Sequence, residues 1–369
     1  MRCTAHGLSL RVVCACAPTP HTSLTMNLND ARLQTLSTEV PAQRVDTAIT
    51  RLYGIRAPII AGGLMWLANA DYVAAASRAG IMGFITAASF PEPQALRDEI
   101  RRCRDLCQGG PFGVNVSMLP KLVPGERTQG VFELIAEEGV NFVETSGRSP
   151  EAYMPLLRAA GIKVLHKVPA LRYALKAQAI GVDAVAIVGA ECGGHPGMDM
   201  VGSFVNAAWA RQALEIPYLV GGGVGCGSQV AAALLMGAAG VVVGTRFAVA
   251  SEVWAHEDYK RRLIEAQPTD TELCMQSVRN TVRALRNDTT DAVQRLEREK
   301  SDVGIQDLMP LVAGRHSHAA YTTGDCSSGL LAAGHALAFT DRIEPLSEIV
   351  ARMEADMLTA FARAPLLLR

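Results

Sequence analysis

Eight short apolar runs, separated by alanine-rich amphipathic stretches, constrain this chain more than any other feature. The runs are "PIIAGG" (58–63), "IMGFI" (81–85), "FGVNV" (112–116), "FVETSG" (142–147), "KVLHKV" (163–168), "AVAIVG" (184–189), "YLVGGG" (218–223) and "GVVVGT" (240–245). They are β-branched or glycine-rich and largely continuous in apolar character, which is the pattern of parallel strands buried on both faces. Between them "NADYVAAASRAG" (69–80), "SPEAYMPLLRAAG" (149–161), "ALRYALKAQAIG" (170–181) and "SQVAAALLMGAAG" (228–240) have helical spacing. Many end in glycine, the usual left-handed C-terminal cap, and Asn69, Ser149 and Ser228 stand as N-caps. Eight strand–helix units predict a (β/α)8 TIM barrel; an open doubly wound sheet is the alternative.

The balance of 35 Lys+Arg against 36 Asp+Glu implies no nucleic-acid partner. No apolar run reaches the roughly 18 residues of a membrane span. The nine cysteines have no regular spacing, which in a chain this long points to a reducing compartment and a cytoplasmic location. Residues 1–25 contain two Arg and no acid; an upstream start with Met26 as working initiator is preferred over a cleaved targeting segment. The "CAC" at 14–16 lacks a second pair of metal ligands. Residues 46–251 are assigned to the barrel. Residues 252–318 are charged and are expected to form a helical insertion without strands. Residues 319–369 are expected to pack back on the barrel.

Active sites of such barrels lie at the C-terminal ends of the strands. There strand 1 delivers "AGGLM" (61–65), strand 3 Asn115, strand 4 "ETSG" (144–147), and strand 5 Lys167. Strand 6 runs into Glu191, Gly193, Gly194 and His195, strand 7 into "GGGVGCG" (221–227), and strand 8 into "GTRF" (244–247). Glycine loops after strands 7 and 8, with a helix starting just beyond, suit a phosphate held by backbone N–H groups; tight turns alone are the simpler explanation. The small "AGGLM" loop leaves room for a flat ring, whose edge Asn115 and Lys167 would reach. A lysine at a flavin's N1–C2 edge would stabilise the negative charge of its reduced form. His195 can move a proton near neutral pH.

The run "PIIAGGLMWLANADYVAAASRAGIMGFI", the "GVN" of strand 3, "ECGGHPG", "GGGV" and "GTRFAVASE" resemble the nitronate monooxygenase (2-nitropropane dioxygenase) family, over residues 46–255 and again 321–350. The resemblance implies an FMN-binding barrel. FMN phosphate would lie on Gly222, Gly223, Gly244 and Thr245, and the ring against Gly62, Gly63, Met65, Asn115, Lys167, Gly193 and Gly194. His195 matches the family's active-site histidine. The implied reaction oxidises alkyl nitronates, and nitroalkanes, with O2 to carbonyl compounds and nitrite. Departures from the family pattern are Cys192 in place of Ala, Val188 in place of Gln, and "TTGDCSSG" (322–329) in place of a Gln-containing turn.

Two other readings stand beside this one: an NAD(P)H-dependent flavin reductase of quinones or enoyl thioesters, and a non-redox barrel binding a phosphorylated metabolite. Glu191 either orients His195 or caps its loop. Cys192, Cys226 and Cys326 are read as small structural thiols, not as nucleophiles or ligands. His316, His318 and Asp325 are weaker proton-transfer candidates. The partners expected are a small-molecule substrate with O2 or NAD(P)H; monomer and homodimer are both open.

Overall fold

The computed structural model describes residues 45–118 and 127–367; the readings made for residues 1–25 lie outside it. Each apolar run forms a strand: β1 (Ile59–Ala61), β2 (Met82–Thr86), β3 (Gly113–Met118), β4 (Phe142–Gly147), β5 (Lys163–Val168), β6 (Ala184–Val188), β7 (Tyr218–Gly221) and β8 (Gly240–Val243). Each pairs in parallel with the next, and β8 returns to β1 through Ile59–Val241, Ile60–Val242 and Ala61–Val243. The sheet is therefore a closed (β/α)8 barrel, not an open one.

The continuous apolar runs follow from burial on two sides. Ile60, Met82, Phe84, Leu165, Ala186, Leu219 and Val242 fill the barrel, whose floor is closed by Ile49 and Tyr53 of α1 (Ala48–Tyr53). Ile59, Ile85, Val114, Val143, Val164, Val185 and Val241 pack outward against the helices. Those helices are α2 (Ala70–Arg78), α3 (Pro93–Cys107), α4 (Thr128–Glu137), α5 (Met154–Ala159), α6 (Leu171–Ala179), α7 (Ser203–Ala213) and α8 (Gly227–Leu235), one after each of the first seven strands. Asn69 caps α2, accepting from Tyr72 N at 3.1 Å. Ser149 accepts from Glu151 N at 3.3 Å, at a short 3-10 turn instead of α5. Ser228 lies inside α8, and Cys226 holds the cap position. On α3, Cys103 and Cys107 are unbonded thiols with sulfurs 3.8 Å apart.

Residues 252–318 are not wholly helical, which corrects the sequence expectation. They hold α9 (Glu257–Glu265), α10 (Asp288–Glu299), α11 (Ile305–Val312) and the start of α12 (Gly314–Thr323), but also an antiparallel pair, β9 (Thr271–Cys274) and β10 (Val282–Leu285). Two breaks explain the difference: Met275 (φ 62°) and Arg279 (φ 54°) are left-handed and end any helix through "TELCMQSVRNTVRALRND". The strands gain partners that are remote in sequence. β10 bridges to Gly194 through Arg283 and to Ala332 through Ala284.

The eighth barrel helix comes only after this excursion. It is α13 (Leu346–Arg363), packed between α8 and α2. The approach to α8 requires glycine, since a Cβ on Gly227 would lie 1.9 Å from the Met353 carbonyl oxygen. Gly227→Ala is expected to force α8 and α13 apart and to lower stability by roughly 1–3 kcal/mol or more, read as a lower urea midpoint at unchanged slope. A midpoint equal to wild type would show the contact to be soft. Among the described residues no helix is long and apolar enough to cross a membrane.

Candidate active site

The top of the barrel interior carries three polar side chains on adjacent strands. Asn115 (β3) donates through Nδ2 to Glu144 Oε2 (β4), and Lys167 Nζ (β5) reaches the same oxygen at 3.1 Å. Glu144 is fully buried, while the Lys167 side chain is 22% exposed and leads toward the mouth. A buried carboxylate survives in such a place because it is paired with a cation and hydrogen-bonded. Its second oxygen, Oε1, has no partner. Gly63 covers this cluster so closely that a Cβ there would lie 2.7 Å from the Asn115 side chain. Sequence reasoning gave Asn115 and Lys167 a role at the mouth, and placed Glu144 at the end of strand 4 without giving it one. Its signal was available: it shares a face of β4 with Phe142, which packs against the barrel interior.

Across the mouth, β7 and β8 end in exposed backbone. Gly222 and Gly223 have φ of 96° and 72°, a conformation that strongly favours glycine. Among the described residues the amides of Gly222, Gly223, Gly244 and Thr245 donate to no protein acceptor. Unspent amides on two neighbouring loops are a feature able to receive an anion. A cavity of about 280 Å³ lies beside the β7 loop alone, between α7 and α8, lined by Gly222, Gly223, Phe204, Ala233, Met236 and His335, and does not reach Gly244 or Thr245. The helix start expected to assist is otherwise engaged. Gln229 accepts from the amides of Gly225 and Cys226, and Asp356 of α13 accepts from Ser228 N at 2.6 Å. The cradle therefore consists of loop amides without the end of α8.

The "ECGGH" loop is held mainly by the rest of the chain. Both Glu191 carboxylate oxygens accept from Ser203 N (3.0 and 2.9 Å), capping α7, where the helix dipole favours an anion. Glu191 thus holds the loop and makes no bond to His195. A Cβ on Gly193 would lie 2.7 Å from the backbone of Ala333 and Gly334. Gly194 exchanges backbone hydrogen bonds with Arg283, at 3.0 and 2.7 Å. The buried Arg283 guanidinium also donates to Ala190 O and to Thr271 Oγ1. Gly193 thus packs on the C-terminal segment and Gly194 pairs with the insertion, while the Cβ side of Gly194 faces open space. Arg283 and His335, whose amide donates to Glu191 O at 2.9 Å, complete this wall. Neither was singled out from sequence, because their partners lie about 90 and 140 residues away.

His195 opens to solvent at the mouth and has no hydrogen-bond or ion-pair partner among the described residues. The surrounding protein, and secondarily the positive Lys167, lower its pKa below the ordinary histidine value. At neutral pH it is a neutral imidazole, ready to accept a proton. Gly62 is held against β8, donating to Val243 O at 3.0 Å, and Met65 is exposed. Burial pushes the Cys192 thiol up to about 12 and Cys326 to about 11, so both stay protonated near neutrality. His316 bonds Pro310 O, Asp325 accepts from Ser327 N within its own turn, and His318 stacks against Trp66 and Trp254.

The closed (β/α)8 barrel defines the class of fold, and the chain spans about 61% of the length of the first curated relatives that it matches. The nitronate monooxygenase family model matches residues 46–356, and the chain belongs to that family. Similar proteins differ in the reactions that their names give. A (3aS,4S,5R,7aS)-5-hydroxy-7a-methyl-1-oxo-octahydro-1H-indene-4-carboxyl-CoA dehydrogenase of Rhodococcus jostii is 31% identical over 225 residues, 61% of this chain and 61% of that protein. A probable nitronate monooxygenase of Staphylococcus aureus is 26% identical over 297 residues, covering 70% of this chain and 83% of that one. FabK from Thermotoga maritima superposes with a TM-score of 0.80 at 27% identity, over 88% of this chain and all of that chain.

Proposed function

We propose that the chain is an FMN-dependent nitronate monooxygenase. The observation that carries this is His195, exposed at the mouth without a partner among the described residues and within the field of Lys167. The free amides of Gly222, Gly223, Gly244 and Thr245 suit the FMN phosphate. The 61–65 loop, Asn115, Lys167 and the Gly193–Gly194 backbone would face its ring. Bound FMN would supply the electron acceptor for the nitronate and pass electrons on to O2, so that a carbonyl compound and nitrite leave. An imidazole nitrogen of His195 takes the proton from the carbon bearing the nitro group, and the Lys167 ammonium favours the resulting anion. A preformed nitronate needs only the second of these.

A second reading, hydride transfer involving NAD(P)H and an enoyl or other acyl thioester, is favoured by the 31% identity to a CoA-thioester dehydrogenase. Anaerobic mixing separates the two. The purified protein is expected to carry FMN and to lose its yellow absorbance with propyl-2-nitronate but not with NADH. Bleaching by NADH alone would replace the first reading by the second, and a folded protein that takes up no FMN would overturn both.

A further inference from the structure

A second cavity, of about 350 Å³, lies on the barrel rim outside the glycine loops. Its walls are Trp66, Trp254, Phe90 and His318, and Glu99 and Arg102 form its polar end. The aromatic wall is a built arrangement. Trp66 has φ of 67°, a left-handed conformation that is a genuine outlier for a bulky side chain. It is fixed there from both sides: its amide donates to Ser89 Oγ at 2.9 Å, and its carbonyl accepts from Trp254 Nε1 at 2.7 Å. The His318 ring stands 5.0 Å from Trp66 and 5.5 Å from Trp254, bridging the two indoles. Backbone strain of this kind persists only where the surroundings impose it, and it clusters at ligand clamps.

The polar end selects further. Arg102 is already spent on Asp71 and Glu99, so it offers little to a phosphate. Glu99 Oε1 accepts from Ala70 N, while Oε2 has no partner among the described residues. The cavity thus presents flat π surfaces and an acceptor for an N–H group, at a volume typical of small-molecule sites. An adenine base has both matching features: a ring that stacks on indole and an exocyclic amine that donates to a carboxylate. We infer that this pocket holds the adenine of an adenine-bearing substrate or cosubstrate, either a CoA thioester or a nicotinamide dinucleotide, whose reactive end reaches the barrel mouth. The identity of the carrier, though not the adenine site itself, rests on the second reading of the flavin site.

AMP is the probe, because its binding requires no turnover. Two of the three tryptophans, Trp66 and Trp254, line the pocket, so AMP should quench the intrinsic fluorescence of the FMN-loaded protein saturably. IMP, which turns a carbonyl oxygen toward Glu99, should bind at least tenfold more weakly. Trp254→Ala should weaken AMP at least tenfold while leaving FMN content and propyl-2-nitronate turnover unchanged. Glu99→Gln keeps the side-chain shape and should abolish the preference for AMP over IMP, which supplies the decisive comparison if Trp254→Ala folds poorly. CoA and NADH are then competed against AMP, and the one that displaces it at the lower concentration identifies the carrier. Absence of saturable quenching by AMP, equal binding of AMP and IMP by wild type, or displacement of AMP by tetramethylammonium but by neither CoA nor NADH would overturn the inference. If AMP binds as described while NADH and acyl-CoA fail to exchange electrons with the flavin, the pocket stands and the second reading falls.

Discussion

His195→Asn is expected to slow turnover of a neutral nitroalkane by about 10²–10⁴, the usual worth of a positioned acid–base group, and to slow a preformed nitronate far less. The nitronate has already lost the proton that His195 removes. FMN content should stay near wild type, because the amides suited to the phosphate belong to Gly222, Gly223, Gly244 and Thr245. The pH dependence has a definite sign. The protein around its ring, and secondarily Lys167, lower the His195 pKa, so the neutral, proton-accepting form persists below the ordinary histidine range. The acid limb of the wild-type rate on nitroalkane should therefore lie below the one that an ordinary histidine would give, and should be lost in the Asn variant. Steady-state rates on 2-nitropropane and propyl-2-nitronate across pH measure this. Equal losses on both substrates would make His195 an anion-binding group instead of a base.

The second large effect concerns Lys167, with Glu144 as its opposite. If Lys167 faces the N1–C2 edge of FMN, Lys167→Ala should lower the two-electron potential, since one charge interaction at close range is worth about 1–4 kcal/mol at intermediate to high dielectric. Glu144 is fully buried and binds Lys167 at 3.1 Å, so its negative charge offsets part of that field. Glu144→Gln keeps an acceptor for Lys167 while removing the charge, and should shift the potential upward. Potentials measured against a reference dye with xanthine and xanthine oxidase decide the matter. Shifts of the same sign in both variants would remove the pair from the cofactor's edge.

The barrel was legible because its period is local. Each strand is apolar on both faces for reasons that neighbouring residues reveal, and the glycine ends mark the mouth. Asn115 and Lys167 were legible for the same reason, since position along a strand fixes which end of the barrel a residue reaches, and His195 follows β6 in the loop at that end. The insertion was less so. "TELC" and "VRAL" are four-residue segments with a charged residue in each, and nothing within them favours a strand over a helix turn. They become β9 and β10 because Arg283 meets Gly194 and Ala284 meets Ala332 across the fold.

The amino-acid sequence by itself determined the eight-stranded barrel and the residue types gathered at the C-terminal ends of its strands. These depend on patterns that repeat within a few residues. The tertiary structure alone decided which groups are already spent. It gives the start of α8 to Asp356 and the start of α7 to Glu191, sets Glu144 beneath Lys167, and leaves His195 without a partner. It also brings Trp66 and Trp254, 188 residues apart, into one wall. Hydrogen bonds and ion pairs are short-ranged, so their assignment waits on which distant segments the closed barrel brings within about 3 Å of each other.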